Sequence, residues 1–211
     1  MKKPSPNFDI ETSLCGGTGS LQIPIAGIDE AGRGPWAGPV VAAAVILDPE
    51  NLPGGLADSK TLTEKRREII ARDIRNRARV GVGVASVAEI DEINILKATF
   101  LAMARAEAAL PSPPAICIVD GSMKPKLAAR TEMIVKGDAK SLSIAAASII
   151  AKTTRDEMMR ALAAEHPFYA WEKNKGYGAP AHRAGLETHG VTAHHRRSFM
   201  PIRTILARNA A

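Results

Sequence analysis

Four acids in this 211-residue chain follow apolar runs and sit next to a glycine or one residue from it: Asp29 and Glu30 in "IAGIDEAGRG", Asp120 in "AICIVDG" and Asp138 in "EMIVKGD". A single aspartate at a strand end is an ordinary turn residue, and a glutamate is much less so. Four acids in the same kind of position point to one shared site. Carboxylates brought together repel, and burying them is unfavourable without a positive partner, whether metal ion, basic side chain or solvent. Hard oxygen donors of this kind suit magnesium or manganese, which take one or two protein carboxylates together with phosphate oxygens. Two such ions about 4 Å apart can activate water on one side of a phosphodiester and stabilise the leaving oxygen on the other. The chemistry indicated is hydrolysis of a nucleic acid backbone.

Other chemistries fit less well. The loop "GRGPWAG" lacks the lysine and spacing of a phosphate-binding G-x-x-x-x-G-K-[ST] loop, and Pro35 and Pro39 disfavour a dinucleotide-binding turn running straight into a helix. No serine sits in a G-x-S-x-G elbow. His189, His194 and His195 are close in sequence, but no cysteine accompanies them and Arg196 and Arg197 follow directly. They read as a solvated or phosphate-facing cluster rather than a zinc site.

The elements that must carry the acids follow from the apolar periodicity. "IPIAGID" and "VVAAAVIL" read as two strands of a hairpin, and "RVGVGVASV" alternates with period two as a third. Neighbours such as Asp29 and Glu30 point to opposite faces of a regular strand, so the chain is expected to leave strand geometry there, at Ala31-Gly32. Thr61 and Glu64 form a capping-box pattern before a helix with a stripe of Ile70, Ile74 and Ala78. A long helix over "EINILKATFLAMARAEAAL" ends at Pro111, Pro113 and Pro114. "AICIVDG" and "EMIVKGD" read as short strands ending at Asp120 and Asp138, and "SLSIAAASIIAKTTRDEMMRALAAEH" as a helix rich in small residues. The pattern implies an α/β fold, a mixed central sheet flanked by helices, with ligands gathering at the carboxyl ends of strands.

Composition sets the frame. Hydrophobic content of 45% and charged content of 24% are those of a globular chain. No apolar run approaches the roughly 18 residues of a membrane span, and no signal peptide is evident, so a cytoplasmic protein is expected. The net charge of +6 fits a polyanionic partner. Residues 60–79 hold eight basic and three acidic side chains, and residues 173–208 seven basic and one acidic. Residues 1–20, rich in proline and glycine, read as a flexible leader to a single domain over 21–211.

The blocks "GIDEAGRGPWAGPVVAAAVIL", "DSKTLTEKRRE", "NILKATFLAMARA", "VDG", "KGDAKSLSIAAASIIAKTTRD", "NKGYGAPAH" and "HGVTAHHRRSF" together resemble ribonuclease HII, from about Ile25 to Ile205. The resemblance implies a ribonuclease H-like fold with a helical C-terminal portion that helps bind substrate. It implies an endoribonuclease acting on RNA/DNA hybrids and incising 5′ of single ribonucleotides in duplex DNA, as a monomer, with no membrane partner. It makes Asp29, Glu30, Asp120 and Asp138 the catalytic, metal-binding acids for two Mg²⁺ or Mn²⁺ ions. Gly32, Arg33 and Gly34 become the loop that grips the ribonucleotide around its 2′-hydroxyl, and Tyr177 the ring against the nucleotide at the RNA–DNA junction. Lys60, Lys152 and Arg155 match basic substrate-binding positions of the family, which implies phosphate contact for Lys60 and either phosphate contact or ion-pairing with Asp156 for Lys152 and Arg155, and Arg196 and Arg197 would extend the basic surface along the duplex. Two rival readings are a carboxylate–metal nuclease with a different substrate, such as long hybrids or DNA junctions, and a hybrid-binding module without catalysis.

Overall fold

A computed structural model describes residues 6–16, 23–56, 59 and 62–209. Strands β1 (Ile25–Ala31) and β2 (Val40–Ile46) form the expected antiparallel hairpin, and β3 (Arg79–Ala85) pairs antiparallel with β2. On the other side of β1, β4 (Ile116–Asp120) and β5 (Arg130–Ile134) add in parallel, giving a mixed sheet of order β3-β2-β1-β4-β5.

Strand β2, "VVAAAVI", is buried at every position, because helices cover both faces of the sheet there. On one face Ile28, Ala42, Ala44 and Ile46 pack against Ala98, Ala102, Met103 and Ala106 of α3 (Val87–Ala108). On the other, Ala43 and Val45 meet Ala146, Ile149 and Ile150 of α4 (Leu142–Glu165), and Ile70 and Ile74 of α2 (Glu64–Arg77). The small residues expected to let α4 pack closely do so. A Cβ at Gly27 would stand 2.1 Å from the Ser143 carbonyl carbon, so α4 lies directly on β1 only because position 27 has no side chain. Helix α3 bends at Asn94, which adopts φ 67°, and the Asn94 side-chain oxygen accepts from the Leu96 and Lys97 N–H groups to cap the second segment.

Three sequence expectations change. Residues 6–16 of the expected leader carry α1 (Asp9–Leu14), whose Ile10 and Leu14 pack on Ile25, Ile116 and Ile144. Glu11 of α1 is buried and accepts from the Ser141 hydroxyl (2.7 Å) and the Ser143 N–H (3.1 Å) at the start of α4, which holds the segment down. The cap of α2 is Thr63, whose hydroxyl accepts from the Arg66 N–H, whereas Thr61 lies outside the described residues. Strand β5 stops at Ile134, so Asp138 belongs to a separate 3₁₀ turn (Gly137–Ala139).

Beyond α4 the chain is helical: α5 (Trp171–Asn174), α6 (Pro180–His189) and α7 (Met200–Asn209). Trp171, Leu186 and Ile202 from these helices join Met159 and Ala163 of α4, and Tyr169, in a second apolar cluster. Among the described residues no helix is long and apolar enough to cross a membrane.

Candidate active site

Parallel pairing of β1 with β4 reaches Ile28↔Val119, so Asp29 and Asp120 stand side by side one step further along. Asp138 arrives from the 3₁₀ turn, which follows Lys136 in a left-handed conformation (φ 58°). The Gly137 N–H donates to Asp120 Oδ1 at 2.7 Å and ties that turn to the end of β4. As a result one carboxylate oxygen each from Asp29, Asp120 and Asp138 lies within 4.8 Å of the other two. Glu30 is placed differently. Strand β1 does not leave its geometry at the acids, since its register with β2 continues to Ala31↔Val41. The Glu30 carboxylate accepts from Arg33 Nη1 at 3.3 Å and borders the same cleft, just outside the three-aspartate cluster.

The cluster is electrostatically strained. Burial pushes the Asp29 carboxyl well above the usual carboxylate range, and the charges of Glu30 and Asp120 push it further, with a hydrogen bond from Ser148 opposing them. Burial also raises Glu30, against the pull of the Arg33 guanidinium. Three converging carboxylate oxygens, with the Asp29 and Glu30 carboxyls raised by burial beside them, are a hard donor set that a divalent cation would satisfy, so the residues fit such an ion.

The adjoining loop, residues 32–39, is shaped by two enclosed arginines. Arg196 is fully buried and donates to the carbonyls of Gly38 (2.9 Å), Arg33 (3.0 Å), Pro35 (2.8 Å), Gly32 (2.6 Å) and Pro39 (3.2 Å). Arg155, 1% exposed, donates to the carbonyls of Pro39, Ala37 and Lys175. Neither has a guanidinium free for phosphate along a duplex, which corrects the surface role expected of Arg196 and the contact expected of Arg155. Burial lowers their proton affinity, to about 9 for Arg196 and about 10 for Arg155, and both stay cationic at neutral pH. Gly32 is required by this packing: its φ is +97°, and a Cβ there would stand 1.9 Å from Arg155 Nε. Arg33 remains exposed beside Glu30, and Gly34 lies against the Tyr177 ring, where a Cβ would be 3.3 Å away.

Of the other basic residues, Lys152 borders the cleft but is ion-paired with Asp156 at 2.6 Å. Arg197 is exposed, with its backbone N–H on Asp91. Lys60 lies outside the described residues.

Tyr177 is 52% exposed and lines the same cleft as the acids. Its main chain is held by a buried relay. Trp171 Nε1–H donates to His182 Nε2 (3.1 Å), which makes that nitrogen an acceptor and puts the His182 proton on Nδ1, where it donates to the Tyr177 carbonyl (2.9 Å). His195 Nε2 must then donate to His182 Nε2 (3.0 Å), while His195 Nδ1 accepts from the Thr192 N–H (3.0 Å). Every ring nitrogen of the pair has one consistent role only when both rings are neutral. Burial drives His195 down to about 3 and lowers His182 as well. His195 is therefore neither solvated nor phosphate-facing, contrary to the sequence expectation, whereas His189 is exposed and stacks on Phe168.

Three cleft residues escaped the sequence reading: Ser59, Ser148 and Arg67. The two serine hydroxyls are 2.8 Å apart, and Arg67 donates to the Ser59 and Leu62 carbonyls. The spacing of Ser148, Lys152 and Arg155 along one face of α4 was the available signal.

Comparison with known proteins agrees with this geometry. The family model described as Ribonuclease HII matches residues 26–202. A Ribonuclease HII of Jannaschia sp. (strain CCS1) is 54% identical over 202 residues, covering 95% of this chain and 98% of that protein. The crystal structure of the ribonuclease H2 from Pyrococcus horikoshii OT3 superposes with a TM-score of 0.75 at 30% identity, over 87% of this chain and 97% of that one. Bst-RNase HIII in complex with Mn²⁺ shares the fold with a TM-score of 0.67 at 23% identity, over 88% of this chain and 70% of that one. With a family match that spans the sheet, the three-aspartate cleft and the helical C-terminal portion, the chain belongs to the ribonuclease HII family and is a ribonuclease H, a hydrolytic nuclease.

Proposed function

We propose that the cleft incises the strand 5′ of a ribonucleotide, in RNA/DNA hybrids and at single ribonucleotides embedded in duplex DNA, leaving a 3′-hydroxyl and a 5′-phosphate. The observation that carries the reading is the convergence in one cleft of Asp29, Glu30, Asp120, the loop 32–34 and Tyr177, with the Asp138 carboxylate closing the acid cluster. When bound, two Mg²⁺ or Mn²⁺ ions supply an activated water and charge neutralisation at the scissile phosphate. Asp29, Asp120 and Asp138 would hold them, with Asp29, on the strand that anchors the site and beside both Glu30 and Asp120, as the central ligand. Glu30 completes the donor set from the cleft wall and, through its contact with Arg33, keeps that guanidinium beside the phosphate path.

Recognition falls to the chain's own backbone. Arg196 and Arg155 aim the carbonyls of residues 32–39 inward, leaving the glycine-flanked edge of the loop open to a ribose 2′-hydroxyl, the group that distinguishes RNA from DNA. The Tyr177 ring, against Gly34, presents a flat apolar surface suited to a deoxyribose, on which a hydroxyl would be desolvated without a partner. The remaining assigned contacts are to phosphate: Lys60, Lys152 after exchange of its Asp156 partner, and Arg197 on the exposed flank.

The test compares a DNA duplex containing one ribonucleotide with a hybrid of several ribonucleotides, each with Mg²⁺, Mn²⁺ or chelator. Metal-dependent incision of both supports the reading. Cutting of long hybrids alone would assign a substrate requirement like that of ribonuclease HI, and binding without product would leave a non-catalytic module.

A further inference from the structure

A second set of metal-type donors lies away from the cleft, where α4 ends. Glu165 is the last residue of α4, His166 is its C-cap, and His194 lies in the segment between α6 and α7. One donor atom from each is within 4.8 Å of the other two. The histidine rings have centroids 5.1 Å apart and both stand edge-on to Trp171, at 5.7 and 6.3 Å, so a buried indole fixes their planes. Main-chain bonds fix their positions: the His166 N–H donates to the Leu162 carbonyl, and the His194 carbonyl accepts from the Gly38 N–H, both at 2.9 Å.

Packing explains where the rings lie but not their nitrogens. No described residue hydrogen-bonds to a ring nitrogen of His166 or His194, in contrast to the neighbouring His182 and His195, whose four ring nitrogens are all engaged. Both rings are half-buried while Glu165 is exposed, which leaves the donors reachable from solvent.

We infer that Glu165, His166 and His194 form a binding site for a zinc-class divalent ion, separate from the acidic centre. Two imidazoles and one carboxylate are a donor set for Zn²⁺ or Co²⁺, completed by water, and a poor one for Mg²⁺, which prefers oxygen ligands. The three-aspartate cluster has the opposite preference. The site joins the end of α4 to the segment carrying His194, His195 and Arg196, so a bound ion braces the residues that shape the loop 32–39 and hold the Tyr177 carbonyl. Its function is a structural clip.

The experiment uses the full chain, freed of metal by chelator and held in excess Mg²⁺ so that the acidic centre is occupied. Zn²⁺ titrated by calorimetry is expected to bind at one site per chain and to raise the melting temperature, and Co²⁺ to give the visible absorption of a four-coordinate nitrogen–oxygen site. His166→Ala and Glu165→Ala should lose the Zn²⁺-dependent rise and the Co²⁺ spectrum while cleaving substrate in Mg²⁺ as wild type does. Glu165, being exposed, provides a variant that folds even if a histidine replacement does not. Wild type without a Zn²⁺-dependent shift, or a shift of equal size in both variants, would overturn the assignment.

Discussion

Arg196→Lys keeps the charge at position 196 and removes the geometry, and so separates two roles for that residue. The guanidinium spreads five donors in a plane and engages five carbonyls of the loop, at 2.6 to 3.2 Å. A lysine ammonium carries three donors at one point, so at least two of the five contacts are lost. Pro39 keeps a second donor, Arg155 Nε at 2.9 Å, so its carbonyl is not left empty. The other lost contact is charge-assisted and buried, and such a bond contributes about 1.5–3 kcal/mol. With a smaller loss at Pro39 the expected destabilisation is about 2–4 kcal/mol, within the 5–15 kcal/mol stability of a typical domain. The variant should fold and unfold at lower urea concentration. A shift of about 1 Å in the loop 32–34 should also lower kcat/KM on a ribonucleotide-containing duplex, by up to about 100-fold. A phosphate-contacting arginine on the surface would behave differently, because lysine would preserve both the salt dependence and the stability. Arg196→Lys within about 0.5 kcal/mol of wild type, with unchanged kcat/KM, would refute the assignment of Arg196 as a loop-shaping residue.

Gly32→Ala sets a Cβ against Arg155 Nε at a residue with positive φ, and should reduce both thermal stability and cleavage, where a merely flexible loop would tolerate it. Arg197→Ala, on an exposed side chain, should weaken substrate binding, lower the slope of log K against log salt by about 1, and leave the urea midpoint unchanged. The folded-state pKa of His195, pushed down to about 3, lies below the roughly 6.5 of an unfolded histidine. The unfolded chain therefore takes the proton first, and this contribution to stability, complete above that value, falls as pH drops towards 3, by up to about 1.4 kcal/mol per pH unit. Urea midpoints at pH 7 and pH 5 should differ more for wild type than for His195→Gln, and equal pH dependence would contradict the neutral pair.

The sequence is most informative where local periodicity fixes position. Asp29 and Asp120 end apolar runs, and strand pairing alone brings them together. Asp138 reaches them by another route, through a left-handed Lys136 and a 3₁₀ turn whose N–H binds Asp120, and no hydrophobic pattern encodes that path. Residues 8–15 look like a leader because proline and glycine flank them, yet Phe8, Ile10 and Leu14 make a short apolar stripe that docks once the sheet exists. The two arginines show the limit most clearly. In a basic segment their type suggests phosphate, but Arg155 and Arg196 bind carbonyls more than 100 residues away, in a loop whose glycines and prolines leave those groups unpaired by secondary structure. The histidine relay is hidden for the same reason: His182 and His195 meet only because α6 folds back beside the segment that follows it.

The converging aspartates are proposed to make the cleft a metal-dependent nuclease that cuts 5′ of a ribonucleotide. The most direct test is incision of a duplex bearing one ribonucleotide by wild type and by Asp29→Asn, in Mg²⁺ and in Mn²⁺, with both product ends mapped. Asp29→Asn removes a buried charge held against Glu30 and Asp120, so the fold should be at least as stable as wild type and loss of activity cannot be ascribed to unfolding. Wild type is expected to make one cut, leaving a 3′-hydroxyl and a 5′-phosphate, and the variant none. Comparable cutting by Asp29→Asn, or wild-type cleavage at any other bond, would contradict the proposal.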